Sequence, residues 1–337
     1  MLLASSLIAC LVAGMIGTRW ARRYAVARQL LDQPGERRSH VQATPRGGGI
    51  SIVIVMLGAM LALALVFPSW RIALVSMAAG LVLVAGIGWV DDHRPLSAWL
   101  RLAVHALAAL LLGMSMSALG ASALQALLVV GLAVGLVNVW NFMDGINGLA
   151  ASQAALAAMA YAAFAGTGPE AWLGWMLACA VLGFLPFNFP DARIFLGDVG
   201  SGALGYLLAG LAGTVLLKTA SSPSDMAWLL LPLSVFLVDA SLTLLRRILR
   251  GEQWWSPHVQ HAYQRWAKGV GSHVIVTCFY AISALIAIAI TLYFRSSTHQ
   301  LAWSIISGWT MLCFAAWCYL QARYRERRID DEGIGLR

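Results

Sequence analysis

Three groups of residues have the types and spacing to do chemistry. The first is Trp89-Val90-Asp91-Asp92-His93-Arg94, two neighbouring carboxylates beside basic residues. Adjacent acids repel and raise each other's pKa unless a cation sits between them. A hard divalent ion such as Mg²⁺ takes carboxylate oxygens and keeps positions open for phosphate. The second group runs from Asn138 through Asn141 and Asp144-Gly145 to Asn147-Gly148. Asn138 and Asn141 are three apart and project from one face of a helix end, and the two glycines let the backbone turn closely past a ligand. The third runs from Asn188 and Asp191 through Arg193 and Phe195 to Gly197-Asp198, followed by small residues. Backbone N–H groups and Arg193 are there available to an anion, and Asp198 can hold a metal.

Basic groups complete the set. Arg37-Arg38-Ser39-His40 and Thr44-Pro45-Arg46-Gly47-Gly48-Gly49 precede one apolar run, and a later loop carries Ser256-Pro257-His258 and His261-Ala262-Tyr263-Gln264-Arg265. Taken singly, His258 and His261 read as surface groups. Together with metal-type acids and phosphate-binding cations, they read as phosphoryl transfer.

The elements that must position these residues are set by composition. Of 337 residues 60% are hydrophobic and 11% charged, and the mean hydropathy is +0.76. Ordinary globular chains carry roughly 25% charged residues, so a soluble enzyme is excluded. Apolar runs long enough to span a bilayer fall near 2–18, 49–67, 71–90, 99–119, 121–140, 148–165, 171–187, 200–217, 227–246, 273–294 and 301–321. The expected fold is therefore an all-α integral membrane bundle of about 11 transmembrane helices, forming a single membrane-embedded domain over 1–337.

Charge sets the expected orientation. With the N-terminus outside and the C-terminus cytoplasmic, the inside segments are 19–48, 91–98, 141–147, 188–199, 247–272 and the tail 322–337. All but Arg71, Lys218 and Arg295 of the 23 lysines and arginines then lie in or beside inside segments, as the positive-inside rule requires. Arg19, Arg22 and Arg23 follow the first apolar run and no basic residue precedes it, so it reads as an uncleaved span and not a signal peptide. The net charge of +8 reports this topology and contact with anionic headgroups; no nucleic-acid-binding motif is present. The five cysteines lie inside apolar runs and imply no disulfide framework or zinc site.

The same topology sorts the acids. Asp91, Asp92, Asp144, Asp191 and Asp198 all fall at cytoplasmic ends of spans, whereas the outer side keeps little beyond Glu170 and Asp225. A transporter or flippase for a phosphate-bearing polyprenyl lipid would place its ionisable groups near the midplane, so an enzyme is favoured over that class and over a structural subunit. Asp239 lies inside a span two turns before Arg246, and the expectation is an ion pair reaching toward that arginine.

In this order and at these span ends, the motifs resemble the polyprenyl-phosphate N-acetylhexosamine-1-phosphate transferase family, the glycosyltransferase 4 type. The most specific parts are Asp91-Asp92, Asn138-x-x-Asn141-x-x-Asp144-Gly145, Phe195-Leu196-Gly197-Asp198 and the His258 loop. Thr44-Pro45-Arg46-Gly47-Gly48-Gly49 and His261-Ala262-Tyr263-Gln264 look most like the bacterial branch that starts O-antigen chains. The resemblance implies a multi-pass enzyme of the bacterial inner membrane, commonly a homodimer, with its active site on the cytoplasmic face. It would move an N-acetylhexosamine 1-phosphate from a UDP-sugar to undecaprenyl phosphate and release UMP, with Mg²⁺, or Mn²⁺ in its place.

By the same resemblance Asp91, Asp92 and Asp144 are the catalytic acids, and Asp198 with Asp144 holds the metal. Asn138, Asn141, Asn147, Asn188, Arg193, Arg46, His258 and His261 contact substrate, and Phe195 stacks on uracil. The pattern departs from the family at Asn147, where many members carry an acid. It also lacks a lysine after the acid pair, leaving Arg94 and Arg101 as the basic residues there.

Overall fold

Ser97, Ser122 and Ser272 each stand just ahead of an apolar run, and each starts a helix. The Ser97 hydroxyl accepts from Leu100 N–H at 3.2 Å, and Ser272 accepts from Ile275 N–H at 3.3 Å. Ser122 and Gln125 form a reciprocal capping box, so two otherwise orphaned amides are satisfied. The computed structural model describes residues 2–33, 43–219, 223–253, 255, 256 and 258–334. The expected phosphate group Arg37-Arg38-Ser39-His40 lies outside them, as do Trp254 and Pro257.

The helices are α1 (Leu2–Ala27), α2 (Ile50–Val66), α3 (Arg71–His93), α4 (Ala98–Ala118), α5 (Ala123–Met143), α6 (Leu149–Ala165) and α7 (Pro169–Phe184). There follow α8 (Asp198–Thr219), α9 (Pro223–Leu230), α10 (Ser234–Leu249), α11 (Ala262–Val270), α12 (His273–Phe294) and α13 (His299–Ile334). Among the described residues, nine helical segments have the length and apolar composition to cross a membrane, and α2 and α6 are shorter apolar helices of 17 residues. All eleven expected apolar runs are thus helical. Strand structure among the described residues is one antiparallel pair, Leu31–Asp32 with Thr44–Pro45.

Two details differ from expectation. The run at 227–246 is two helices, α9 and α10, joined by a 3₁₀ turn at Leu231–Leu233, because Pro232 cannot donate to an α-helical ladder. The 247–272 loop contains α11, whose apolar residues Ala262, Tyr263 and Ala267 are buried while Lys268 is exposed.

The bundle is built around α8. Every residue from Val199 to Leu216 is buried, and α2, α3, α5, α6 and α7 all pack against it. A helix enclosed on all sides is apolar all round, and between membrane helices close van der Waals packing supplies the attraction. Gly205 shows how close: a Cβ there would lie 2.3 Å from the Leu136 carbonyl oxygen of α5. On the periphery, Ile54, Leu61, Leu65, Ile72, Leu110, Met114, Ile282 and Met311 are exposed. So many large apolar side chains facing outward fit lipid contact and not water.

Candidate active site

The end of the bundle where α3, α5 and α8 meet the loops gathers the acids. Asp92 closes α3 and is buried. Its Oδ1 accepts from Asp198 N–H at 3.1 Å and its Oδ2 from Val199 N–H at 3.2 Å. The carboxylate therefore caps α8 and faces the positive end of its dipole. Arg46 donates to the Asp92 backbone carbonyl, and its Nε stands 3.9 Å from Asp92 Oδ1. Gly197, at φ +76°, makes this approach available, since a Cβ there would meet Asp92 Oδ2 at 2.6 Å and Gly47 N at 2.7 Å. Asp92→Ala is expected to cost about 1–2 kcal/mol, as for a lost helix cap, read as a lower unfolding temperature in detergent.

Asp91 points elsewhere. Its Oδ1 accepts from Leu96 N–H at 2.6 Å and its Oδ2 from Arg101 Nη1 at 2.7 Å. The same Nη1 reaches Asp198 Oδ2 at 3.0 Å, so one guanidinium nitrogen bridges two carboxylates from α3 and α8. Asp198 Oδ1 accepts from Asn141 Nδ2 at 2.8 Å, and Asn141 also reaches Ser201 Oγ at 3.3 Å. Asn138 lies one turn deeper on α5 and donates to the Val134 carbonyl at 2.7 Å.

These groups border a cavity of about 380 Å³ between α3, α4, α5, α8 and α10. Arg101, His105, Asn138, Asn141, Asp198 and Ser241 are among its polar liners, and Leu102, Val134, Val137 and Leu244 are among its apolar walls.

Asp144 follows the last residue of α5. Burial, and secondarily the negative charge of Asp92, pushes its carboxyl up to about 7, so it can exchange a proton near neutral pH. The histidine loop lies against the same helix end. Tyr263 OH donates to the Phe142 carbonyl at 2.9 Å, and the His258 and His261 rings stand 6.4 and 6.2 Å from the Phe142 ring.

His258 Nδ1 accepts from Gln260 N–H at 3.3 Å, which leaves the proton of a neutral ring on Nε2 as a donor. Burial, with His261 and the Arg247 guanidinium close by, brings its pKa down to about 3. His258 is thus uncharged from pH 5 to 8. His258→Ala is expected to lower turnover about a hundredfold, the loss of one donor to developing charge. The fall should be uniform across that range, with no step near 6.5, in a pH–rate profile of both proteins.

A family model of glycosyl transferase family 4 matches residues 74–216. A decaprenyl-phosphate N-acetylglucosaminephosphotransferase of Mycobacterium leprae is 32% identical over 313 residues, covering 80% of this chain and 77% of its own. The chain belongs to this family. A probable undecaprenyl-phosphate N-acetylglucosaminyl 1-phosphate transferase of Bacillus subtilis is 28% identical over 315 residues, 89% of this chain and 87% of its own. A phospho-N-acetylmuramoyl-pentapeptide-transferase of Symbiobacterium thermophilum is 33% identical over 247 residues, 64% and 72% of the two chains.

The expected membership among polyprenyl-phosphate hexosamine-1-phosphate transferases therefore holds. The glycosyl transferase match spans α3 to α8 and includes the acids, whereas the histidine loop lies beyond it. The expected site residues separate into groups. Arg101 joins Asp91 to Asp198, Asn141 binds Asp198, Asp92 and Arg46 support them, and His258 and His261 approach through Phe142.

Other expected residues are held by the scaffold. Asn188 is buried, and its amide joins Gly148 N–H at 2.8 Å to the Ile194 carbonyl at 3.0 Å, a strut between the second and third motifs. Asn147 Nδ2 donates to the Pro190 carbonyl at 2.9 Å. The exposed Arg193 gives its backbone carbonyl to Arg22 at 3.2 Å. Phe195 is fixed by its backbone to Pro45 and Gly48.

The pairing expected of Asp239 is overturned. Asp239 accepts from Ala262 N–H at 2.9 Å, Tyr263 N–H at 3.1 Å and Tyr280 OH at 2.9 Å, while Arg246 donates to Gln321. Seven residues along a helix is about 10 Å, and the first amides of α11 are nearer. Arg247 was missed as a member of the loop: buried, it binds Glu252 at 2.9 Å and the carbonyls of Gln253 and Ser256 at 2.9 and 3.0 Å. Its signal was a second arginine at the end of an amphipathic helix, indistinguishable in sequence from a topology charge.

The donor set fits a hard divalent cation. Asp91 and Asp198 offer only oxygens and already converge on one positive nitrogen. Among the described residues no group of three or more His, Cys, Asp or Glu side chains could hold a metal, so an ion here would complete its shell with water and substrate phosphate.

Proposed function

We propose that the chain transfers an N-acetylhexosamine 1-phosphate from a UDP-sugar to undecaprenyl phosphate. The active site faces the cytoplasm at a bacterial inner membrane, and the reaction begins an O-antigen or related surface polysaccharide. The observation that carries this reading is the cavity itself. Its apolar walls suit a polyprenyl chain, and Arg101, Asn141 and Asp198 at its polar part suit a phosphate. The names of the relatives, undecaprenyl- and decaprenyl-phosphate N-acetylglucosaminyl transferases, support the substrate class.

In this reaction an oxygen of the lipid phosphate attacks the sugar-bearing phosphorus of the UDP-sugar. The bond from that phosphorus to UMP breaks, UMP leaves with the electron pair, and a lipid diphosphate sugar remains. Mg²⁺ held by Asp198, with Asp91 in the place that the resemblance gives to Asp144 because Asp91 and Asp198 share Arg101, would neutralise charge on the transferring phosphate. Arg101 is the basic phosphate partner, because it already lies between the two carboxylates and can turn to an incoming anion. Asp144 exchanges a proton near neutral pH, and His258 donates through Nε2 to charge developing on the diphosphate.

The test is purified protein in lipid nanodiscs with undecaprenyl phosphate, Mg²⁺ and a panel of UDP-N-acetylhexosamines. UMP and a lipid-linked sugar should appear only when acceptor, donor and metal are all present. Release of UDP in place of UMP, or no product with any sugar, would reject the assignment.

A further inference from the structure

His105 is an ionisable residue in the apolar run Leu102–Leu107 of α4, a placement costly in a membrane span and functional by default. It lines the cavity, and its Nδ1 is buried with no hydrogen-bond partner among the described residues. Three other polar liners are engaged: Arg101 by Asp91 and Asp198, Asn141 by Asp198, and Asn138 by the Val134 carbonyl. Nδ1 itself is closed off, so a ligand that brings its own hydrogen-bonding oxygen would meet this half-buried ring through Nε2, which has no partner among the described residues.

Position decides which substrate that is. His105 is four residues after Arg101, on the same face of α4, and about 6 Å further along the helix axis, away from the loops. A water-soluble sugar nucleotide approaches from the loop end, where Asp144, Asn147 and His258 lie. An oxygen that reaches below Arg101 between apolar walls belongs to a molecule whose remaining mass lies in the bilayer.

We propose that His105 binds the acceptor, hydrogen-bonding the phosphate of the polyprenyl lipid from the membrane side while Arg101 holds it from the loop side. This rests on the lipid-phosphate reading of the cavity given above. It adds a group that recognises the acceptor and leaves the donor alone.

The experiment compares wild type, His105→Leu, His105→Asn and His105→Gln as full-length protein in nanodiscs. UMP release is measured against undecaprenyl phosphate and, separately, UDP-N-acetylglucosamine. Undecaprenyl phosphate retained by each protein without nucleotide is read by native mass spectrometry. His105→Leu and His105→Asn should raise the KM for the lipid about tenfold, the loss of one hydrogen bond to a charged group, and retain less lipid. The KM for the nucleotide should stay within about twofold, and His105→Gln, with a donor at similar reach, should recover most of the lipid affinity. Unchanged lipid KM and retention in either His105→Leu or His105→Asn would overturn the proposal, as would equal losses toward both substrates. Should wild type retain the lipid but turn over no UDP-sugar, the transfer reading fails while the retention series still decides the role of His105.

Discussion

Asp198→Asn should reduce UMP release by at least about a hundredfold and leave the helical bundle folded. The carboxylate uses both oxygens, Oδ2 on Arg101 and Oδ1 on Asn141. An asparagine in the same place offers one oxygen and one NH₂, so a donor must now face either the guanidinium or the Asn141 amide. A neutral amide oxygen is also a weaker ligand for a hard cation than a carboxylate. Losing one electrostatic stabiliser of a charged transition state costs about 10²–10³ in rate, and here Arg101 placement and the proposed metal holding would both be affected. Folding should survive because the cap of α8 comes from Asp92 to the backbone amides of Asp198 and Val199, not from the Asp198 side chain. Circular dichroism and gel-filtration elution should match wild type. Near wild-type turnover at millimolar Mg²⁺ would remove Asp198 from the metal site.

The parts of this molecule legible in sequence are those with a one-dimensional signature. The eleven apolar runs need only length and composition to declare themselves, and each is helical. The acids of the site sit at span ends beside glycines, so Asp91, Asp92, Asn141 and Asp198 could be named before their contacts were known. What could not be read is which carboxylate does what. Asp91 and Asp92 are adjacent, yet successive helical residues point about 100° apart, so Asp92 caps α8 while Asp91 faces Arg101. Arg101 is one of two basic residues that sequence leaves near the acid pair, and its place between Asp91 and Asp198 appears only in the fold. Asn188 has the composition of a ligand-binding residue and becomes a strut because its two partners, Gly148 and Ile194, arrive from separate loops. Asp239 was misread for a related reason: the helix offered a visible partner in Arg246, whereas the actual partners are backbone amides some two dozen residues away.

Asp239→Leu is expected to cost transfer about as much as Asp198→Asn, through the histidine loop and with α3, α5 and α8 left intact. Asp239 is buried in α10, and its oxygens receive Ala262 N–H, Tyr263 N–H, Tyr280 OH and, at 3.2 Å, Thr243 Oγ1. His261 Nδ1 stands 3.7 Å away. Two of these donors are the first amides of α11, where a negative charge also meets the helix dipole. Leucine fills similar space and accepts nothing, so two buried N–H groups and two hydroxyls lose their partner, at about 1–3 kcal/mol for each group left unsatisfied. The cheapest relief is for α11 to swing away. Tyr263 would then leave the Phe142 carbonyl, and His258 and His261 would leave the Phe142 ring. Even about 3 kcal/mol raises the population of the undocked loop more than a hundredfold. Limited proteolysis should therefore cut within 251–261 much faster in the variant than in wild type, while the remaining fragment stays helical. UMP release should fall in parallel. Asp239→Asn, which keeps one acceptor for one of the two amides, should lie between. Normal proteolysis with lost activity would mean that Asp239 touches the reaction itself. Normal activity with rapid cleavage would mean that the histidine loop is not needed for transfer.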